Sequence, residues 1–318
     1  MKNKGVFAVV GMPYSGSTLL SFIVGSNPKV YNGADLHYLN PRKRGMCSLH
    51  KESCDVLTQE ALEDIYSCYH DCDEWYDSIS NAVERPYIFD ASKQLSFFQQ
   101  VLPKTNKPMV VIALSKHPMR AISSDLFNRL FDRQLKIKNL SDIKLYINEN
   151  EQEVRGFIEK RIDAILQDVE DRRNLLDDIS TKSNILKIID VKYEDYIEVP
   201  DQVIPSVMEP FGLDYDDSFL DYRKFNHHPI TGNMAPIWKV KGEGKKVATD
   251  GKNFRKDFYM KNDSSIVVDN KYKELLSERN VRWIESLPRY RKLIKILDYQ
   301  PMLSEGVWQK LRDFLVKG

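Results

Sequence analysis

The chain has 318 residues, 42% of them apolar, enough to bury a sizeable core in one large α/β unit. Its 47 basic residues nearly balance 46 acidic ones, which removes the electrostatic case for a nucleic-acid-binding or membrane-surface protein. No apolar run approaches the length that spans a bilayer, so no transmembrane helix is expected.

Met1-Lys-Asn-Lys-Gly5 has the charged start of a signal peptide, but the apolar run Val6–Val10 is too short for one and a glycine loop follows at once. The segment reads as the buried first strand of a cytoplasmic protein. Thr18–Ser26 reads as the helix after it, and Thr58–Ala82 as a helix or helix pair. Tyr87–Asp90 is a second strand, followed by a helix at Gln94–Val101. Met109–Leu114 is a third strand, followed by a helix over Pro118–Leu135 whose proline stands in the tolerant first turn. Ser141–Asp178 is long, charged and helically periodic. Ile185–Tyr193 reads as a fourth strand and Asp201–Phe211 as a helix. Asn226–Asp269 is polar and without periodicity, either a functional loop or a mobile cover. Lys271–Leu297 and Ser304–Val316 form a helical C-terminal region.

Continuous apolar strands separated by helices predict a central parallel sheet covered on both faces. The expected fold is a P-loop-like three-layer α/β sandwich, one domain over 1–318, with a helical insertion at about 42–82. The four cysteines Cys47, Cys54, Cys68 and Cys72 fall inside that insertion, with His50 and His70 among them. The spacings Cys-x6-Cys and Cys-x3-Cys match no standard zinc module, and helical spacing would put Cys68 and Cys72 on one face with His70 elsewhere. Zinc or a disulfide stays open, but plain thiols and no metal are the expectation.

The segment between the first strand and its helix is Gly11-Met-Pro-Tyr-Ser-Gly-Ser-Thr18. A strand, a glycine turn and a helix N-terminus aim backbone N–H groups at an anion, and Ser15, Ser17 and Thr18 add hydroxyls. Gly11, Gly16 and Thr18 fit the nucleotide-triphosphate loop G-x-x-x-x-G-K-[ST], but Ser17 replaces the lysine that grips the outer phosphates. That argues against a kinase or NTPase. A connecting turn with no ligand is the plain alternative.

Gly11-Met-Pro-Tyr-Ser-Gly-Ser-Thr-Leu-Leu20 resembles the loop G-x-x-x-S-G-[ST]-T-L-L of the sulfotransferases that use 3′-phosphoadenosine-5′-phosphosulfate (PAPS), above all their bacterial and tyrosyl-protein-like branch. The resemblance implies that Tyr14, Ser15, Gly16, Ser17 and Thr18 wrap the 5′-phosphosulfate end of the donor. After the third strand comes Leu114-Ser-Lys116-His-Pro-Met-Arg120-Ala-Ile-Ser-Ser124, with the basic residue and the serine eight apart, as in the family's 3′-phosphate clamp. Lys116 keeps the charge of the commoner arginine but not its fork, and His117 replaces the usual aspartate. Lys192-Tyr193-Glu194-Asp195-Tyr196 is similar to the family's R-Y-E-D-L, which implies that Tyr193 lies against the nucleotide, although a packing tyrosine is an equal reading. His227-His-Pro-Ile-Thr-Gly232-Asn233 resembles a loop that closes over the adenosine.

The family's loop cation stands just before Ser-Gly, where this chain has Tyr14. Lys93, following the second strand in Phe89-Asp-Ala-Ser-Lys93, is the substitute expected to stabilise charge on the sulfate and its leaving oxygen; a helix-start surface lysine is the plain reading. Asp35 or His37, in Asn32-Gly33-Ala34-Asp35-Leu36-His37, is expected to serve as base. The resemblance thus implies metal-independent transfer of a sulfuryl group from PAPS to a small-molecule hydroxyl or amine. A P-loop small-molecule kinase and a degenerate nucleotide-binding protein are the alternatives. The acidic and aromatic cluster Asp71, Asp73, Glu74, Trp75 and Tyr76 would suit a cationic or aromatic acceptor, or equally a solvated helix face.

Overall fold

The computed structural model describes residues 2–132, 139–242, 266 and 269–303. Its first elements are β1 (Gly5–Gly11), α1 (Ser17–Val24), β2 (Val30–Ala34), α2 (Gln59–Ser67), α3 (Cys72–Val83), β3 (Tyr87–Asp90) and α4 (Leu95–Val101). Then come β4 (Met109–Ser115), α5 (Pro118–Asp132), α6 (Leu140–Glu149), α7 (Glu151–Ile179), β5 (Ile185–Lys192), α8 (Tyr193–Glu198), α9 (Pro200–Met208) and α10 (Met234–Val240). The last described helices are α11 (Lys271–Leu275), α12 (Glu278–Ser286) and α13 (Pro288–Ile296). Two compact units divide them: 2–115, 171–242 and 266 form the first, and 116–132, 139–170 and 269–303 the second.

The first unit holds a parallel five-stranded sheet in the order β2-β3-β1-β4-β5. β1 is buried along its whole length because it lies between β3 and β4, with Val6 facing Ile88 on one side and Met109 on the other. Successive β1 residues alternate faces. Val6, Ala8 and Val10 join a core with Trp75, Tyr76 and Ile79 of α3, while Phe7 and Val9 join a second core with Leu20, Phe22 and Ile23 of α1. These two cores make the three-layer sandwich the strand pattern predicts. The chain leaves β1 toward β2 on one side and β4 toward β5 on the other, so the carboxyl ends of this adjacent pair form a topological switch point, where ligands bind in such sheets.

β2 is the strand that sequence periodicity misses. Its run Val-Tyr-Asn-Gly-Ala carries a polar residue and a glycine, so no apolar pattern marks it, yet it pairs with β3 as an edge strand. The long helical stretch expected over Ser141–Asp178 breaks at Asn150, whose backbone leaves the helical region and whose side chain donates to Tyr146 O at 2.9 Å. Cys68 ends α2 and Cys72 opens α3, so a turn separates them and they share no helix face.

In the second unit α11 packs on α5 and α6, and α12 pairs with α13. The helical region expected over Lys271–Leu297 consists of three helices: Ser277 Oγ caps α12 by accepting from Asn280 N at 3.2 Å, and Pro288 forces Leu287 into extended backbone before α13. The segment expected to be helical at Ser304–Val316, the end of the expected helix Pro118–Leu135, and more than half of the loop expected over Asn226–Asp269 lie outside the described residues, and the described part of that loop contains the helix α10. No described helix is long and apolar enough to cross a membrane.

Candidate functional site

Gly16 is the turning point of the glycine loop between β1 and α1. It caps α1 with φ 85° and ψ 11°, left-handed backbone that favours glycine. A Cβ there would lie 2.3 Å from the Tyr196 hydroxyl oxygen and 2.4 Å from the Tyr193 ring, so two aromatic side chains press directly on the loop. Tyr196 Oη also donates to Gly16 O at 2.9 Å. Tyr193 is buried against the loop, and Tyr196, from the same Lys192–Tyr196 motif, is the neighbour that sequence reading passed over. Tyr14 takes φ 63°, a strained conformation for a non-glycine residue. Ser15 is fully buried, and its Oγ has no hydrogen-bond partner among the described residues. A buried hydroxyl with no partner is rare and suits a site built for a polar ligand.

A strap over 227–233 lies on this loop. Ile230 N donates to Gly33 O at 3.3 Å, Asp35 N donates to Thr231 O at 3.4 Å, and Thr231 bridges to Ala34. Gly232 (φ 147°) approaches α1 so closely that a Cβ would lie 2.8 Å from Thr18 Cγ2. Asn233 N donates to Thr18 Oγ1 at 3.1 Å, while its side-chain oxygen caps α10 through Ala235 N at 3.0 Å. Gly232 and Asn233 are thus beside the loop, and the Asn233 side-chain oxygen is occupied as a helix cap.

Beyond β2 and β3 the three residues expected to do chemistry come together. Lys93 Nζ lies 3.1 Å from Asp35 Oδ1 and 3.2 Å from Ala91 O, and Lys93 has φ 56°. His37 N donates to Ser92 Oγ at 2.9 Å, and the His37 ring lies 4.2 Å from Tyr38 and 6.2 Å from Phe97 between centroids. Burial lowers the His37 imidazole to about 4, outweighing the pull of Asp35. Asp90, which sequence reading did not single out, is fully buried under this group. It accepts from Ser92 N at 3.0 Å, from Ser92 Oγ and from Tyr76 Oη at 3.2 Å. Burial pushes the Asp90 carboxyl up to about 7 against those donors. Its signal in the sequence is its position as the last residue of an apolar strand.

In the second unit Lys116 and Ser124 converge on one carboxylate. Lys116 Nζ is 2.5 Å and Ser124 Oγ 2.6 Å from Asp269 Oδ2, while Lys271 Nζ is 2.8 Å from Asp269 Oδ1. Arg120 Nη1 donates to Asp269 O at 2.8 Å and to Asn270 Oδ1 at 2.9 Å. Burial disfavours the charge on Asp269, but Lys116 and Lys271 outweigh it and hold the carboxyl well below the usual range. This set can therefore grip an anion. Lys271 and Asp269 lie some 150 positions from Lys116, and no local pattern announces them. His117, where the resemblance expects aspartate, accepts from Met119 N at 3.2 Å through Nδ1 and faces Gln300 O with Nε2 at 2.8 Å. Burial lowers it to about 4, so the ring is neutral and supplies the acceptor a carboxylate would supply at the start of α5.

The insertion's aromatic and acidic cluster is structural. Trp75 and Tyr76 are core residues, Asp71 caps α3 through Asp73 N and Glu74 N, and Asp73 accepts from Thr105 Oγ1 at 2.6 Å.

No protein-family model and no curated protein sequence matches this chain. Solved structures do. The sulfotransferase domain from the curacin biosynthetic pathway superposes with a TM-score of 0.56 at 15% identity, over 94% of this chain and 99% of that one. The sulfotransferase domain from the Synechococcus PCC 7002 olefin synthase gives 0.52 at 18% identity, over 94% and 97%. The glycine loop, its tyrosine support and the Lys93–Asp35 pair therefore sit on an α/β fold shared with sulfotransferase domains.

Proposed function

We propose that this protein is a sulfotransferase that moves a sulfuryl group from PAPS to a hydroxyl or amine of a small molecule. The observation that carries the reading is the loop itself: Gly16 turns the chain into α1 with a buried Ser15 hydroxyl beside it that has no partner among the described residues, and serine rather than lysine stands at 17. An NTPase needs that lysine, whereas this fold is shared with sulfotransferase domains.

In this reading the loop takes the 5′-phosphosulfate, and Lys116 and Ser124 take the 3′-phosphate; their grip on the Asp269 carboxylate supports the second assignment. The acceptor oxygen or nitrogen attacks sulfur in line. Its proton passes to Asp35, the bond from sulfur to the leaving phosphate oxygen breaks, and Lys93 stabilises the charge on the sulfate and that oxygen. The products are the sulfated acceptor and 3′-phosphoadenosine 5′-phosphate (PAP). Asp35 is preferred over His37 because it carries the ion pair with Lys93, while burial makes the His37 ring a weak base. Lys93 also answers the missing loop cation at Tyr14, the feature that favours a degenerate binding protein.

Thermal shift with PAP against ATP-Mg, followed by turnover of PAPS on an acceptor panel, tests the reading. Stabilisation by PAP and product formation are expected. Preferential stabilisation by ATP-Mg would overturn it in favour of a kinase, and PAP binding with no turnover on any acceptor would favour the degenerate reading.

A further inference from the structure

Cys47, His50 and Cys54 of the insertion meet His228 of the strap. One ligand atom from each lies within 4.8 Å of every other. Cys47 Sγ is 3.5 Å from His50 Nδ1, and Cys54 Sγ is 3.2 Å from His228 Nδ1. A tetrahedral zinc ion with bonds of about 2.3 Å to sulfur and about 2.0 Å to nitrogen spaces its ligands by roughly 3.3–3.8 Å, so these gaps need only small adjustment. Two sulfurs and two imidazoles also form the donor set that selects zinc by softness and geometry.

We propose that Cys47, His50, Cys54 and His228 bind a structural Zn²⁺ ion. Three features beyond proximity support it. Cys47, Cys54 and His228 are buried, while His50 is partly exposed and gives an edge for loading. Backbone N–H groups of His50 and Leu57 point at Cys47 Sγ and Cys54 Sγ at 3.4 Å and 3.3 Å, the donors that spread thiolate charge in a bound site. Two thiolates would cancel the charge of the dication, so the closed site adds no net charge to the interior. With four protein ligands it leaves no open position and is structural rather than catalytic. Sequence spacing hides it because the fourth ligand stands 174 positions after Cys54.

The ion would clip the insertion to the strap where backbone already joins them: Ser48 N donates to Pro229 O at 2.7 Å, Ser48 Oγ donates to Ile230 O, and Tyr31 Oη holds His228 O at 2.8 Å. It would thereby fix the segment that carries Gly232 and Asn233 onto Thr18. The inference rests on coordination chemistry and not on the proposed activity.

The test uses tag-free full chain purified without chelator. Elemental analysis should find roughly one zinc per chain. After stripping, Co²⁺ should give the intense absorption of a tetrahedral thiolate site and be displaced by Zn²⁺. Alkylation with peptide mapping should show Zn²⁺ protecting Cys47 and Cys54 while Cys68 and Cys72 react at unchanged rates. Cys54→Ser and His228→Asn should bind zinc at least about tenfold more weakly, and Cys68→Ser should bind it normally. If the variants fail to fold, the alkylation pattern of the natural chain still decides. No bound metal after reconstitution, protection of Cys68 and Cys72 instead, or a Cys47–Cys54 disulfide in the native protein would each overturn the proposal.

Discussion

Lys93 Nζ stands 3.1 Å from Asp35 Oδ1, so the expected cation and the expected base of the transfer reaction form one ion pair beyond the ends of β3 and β2. Neither side chain is sealed in, at 21% and 16% exposure, and the pair therefore remains open to a substrate. Lys93→Ala should lower kcat about 10²–10³-fold while PAP affinity changes only a few-fold, because its charge is needed most as the leaving oxygen develops. Asp35→Asn should cost about 10²–10⁴-fold in kcat. The double variant should be far less impaired than the product of the singles, since the two act as a unit. Near-normal turnover of Lys93→Ala at saturating donor would sink the assignment.

His37 is the rival base, and its surroundings separate it from Asp35. Burial lowers its imidazole to about 4, so it stays neutral down to acid pH and accepts a proton poorly. His37→Asn should keep kcat within about tenfold of the natural chain, against the larger loss expected when a general base is removed. The pH profile of kcat should show no inflection at the ordinary histidine value that disappears in His37→Asn. A His37→Asn loss as large as that of Asp35→Asn would transfer the base role to the histidine.

β1, β3 and β4 were legible because a sheet covered on both faces needs apolar side chains, β5 because its isoleucines and valine still mark an extended run, and the glycine loop because left-handed backbone at 16 favours glycine. β2 was not, since an edge strand with Asn32 and Gly33 carries no such pattern. Among the candidate residues, Lys93, Asp35 and Lys116 stood out by following apolar strands or a glycine. Asp269, Lys271 and His228 did not. Asp269 and His228 act through partners more than a hundred positions away, and Lys271 joins the first of these groups through Asp269; such pairing is a property of the fold rather than of any local spacing.

Asp269 behaves as an internal anion. Its carboxylate is shared by Lys116, Ser124 and Lys271, and both lysines are nearly inaccessible. Removing one partner of a buried charge cluster typically costs about 3–5 kcal/mol, so Asp269→Asn should be clearly less stable at pH 7 by denaturant titration. The folded carboxyl sits below its unfolded value. Its contribution is thus present above the unfolded pKa of about 3.9 and lost as pH falls below it. Natural chain and variant should therefore converge in strong acid. PAP should raise the Tm of the variant more than that of the natural chain, since a phosphate can then take the carboxylate's donors. An equal or smaller rise would count against an anion cradle here.

Asp90 has the opposite sign. Its folded carboxyl is raised to about 7 by burial, so the folded state holds its proton over a range where the unfolded chain has released it. Stability is therefore greatest below the unfolded pKa of about 3.9 and declines as pH rises to about 7. Asp90→Asn keeps an acceptor for Ser92 and removes the titration. Its denaturation free energy should be flatter than that of the natural chain between about pH 4 and 7, with the difference reaching on the order of 4 kcal/mol. Parallel curves for the two proteins would show that Asp90 stays ionised among its donors.

Gly16 and Gly212 permit a controlled test of the loop. Both have left-handed backbone, at φ 85° and 62°, but a Cβ at Gly212 would meet nothing within 4 Å, whereas at Gly16 it would strike Tyr196 and Tyr193. Gly212→Ala should therefore cost only the conformational strain, about 1 kcal/mol. Gly16→Ala carries the same strain and also drives two buried rings off the loop, so its Tm should fall further and its stabilisation by PAP should vanish while far-UV circular dichroism is retained. Tyr196→Phe removes the hydroxyl that meets Gly16 O, at about 1 kcal/mol, and leaves the ring in place, so PAP should still stabilise it. Equal behaviour of the two alanine variants would mean that Tyr193 and Tyr196 yield freely and do not set the shape of the loop.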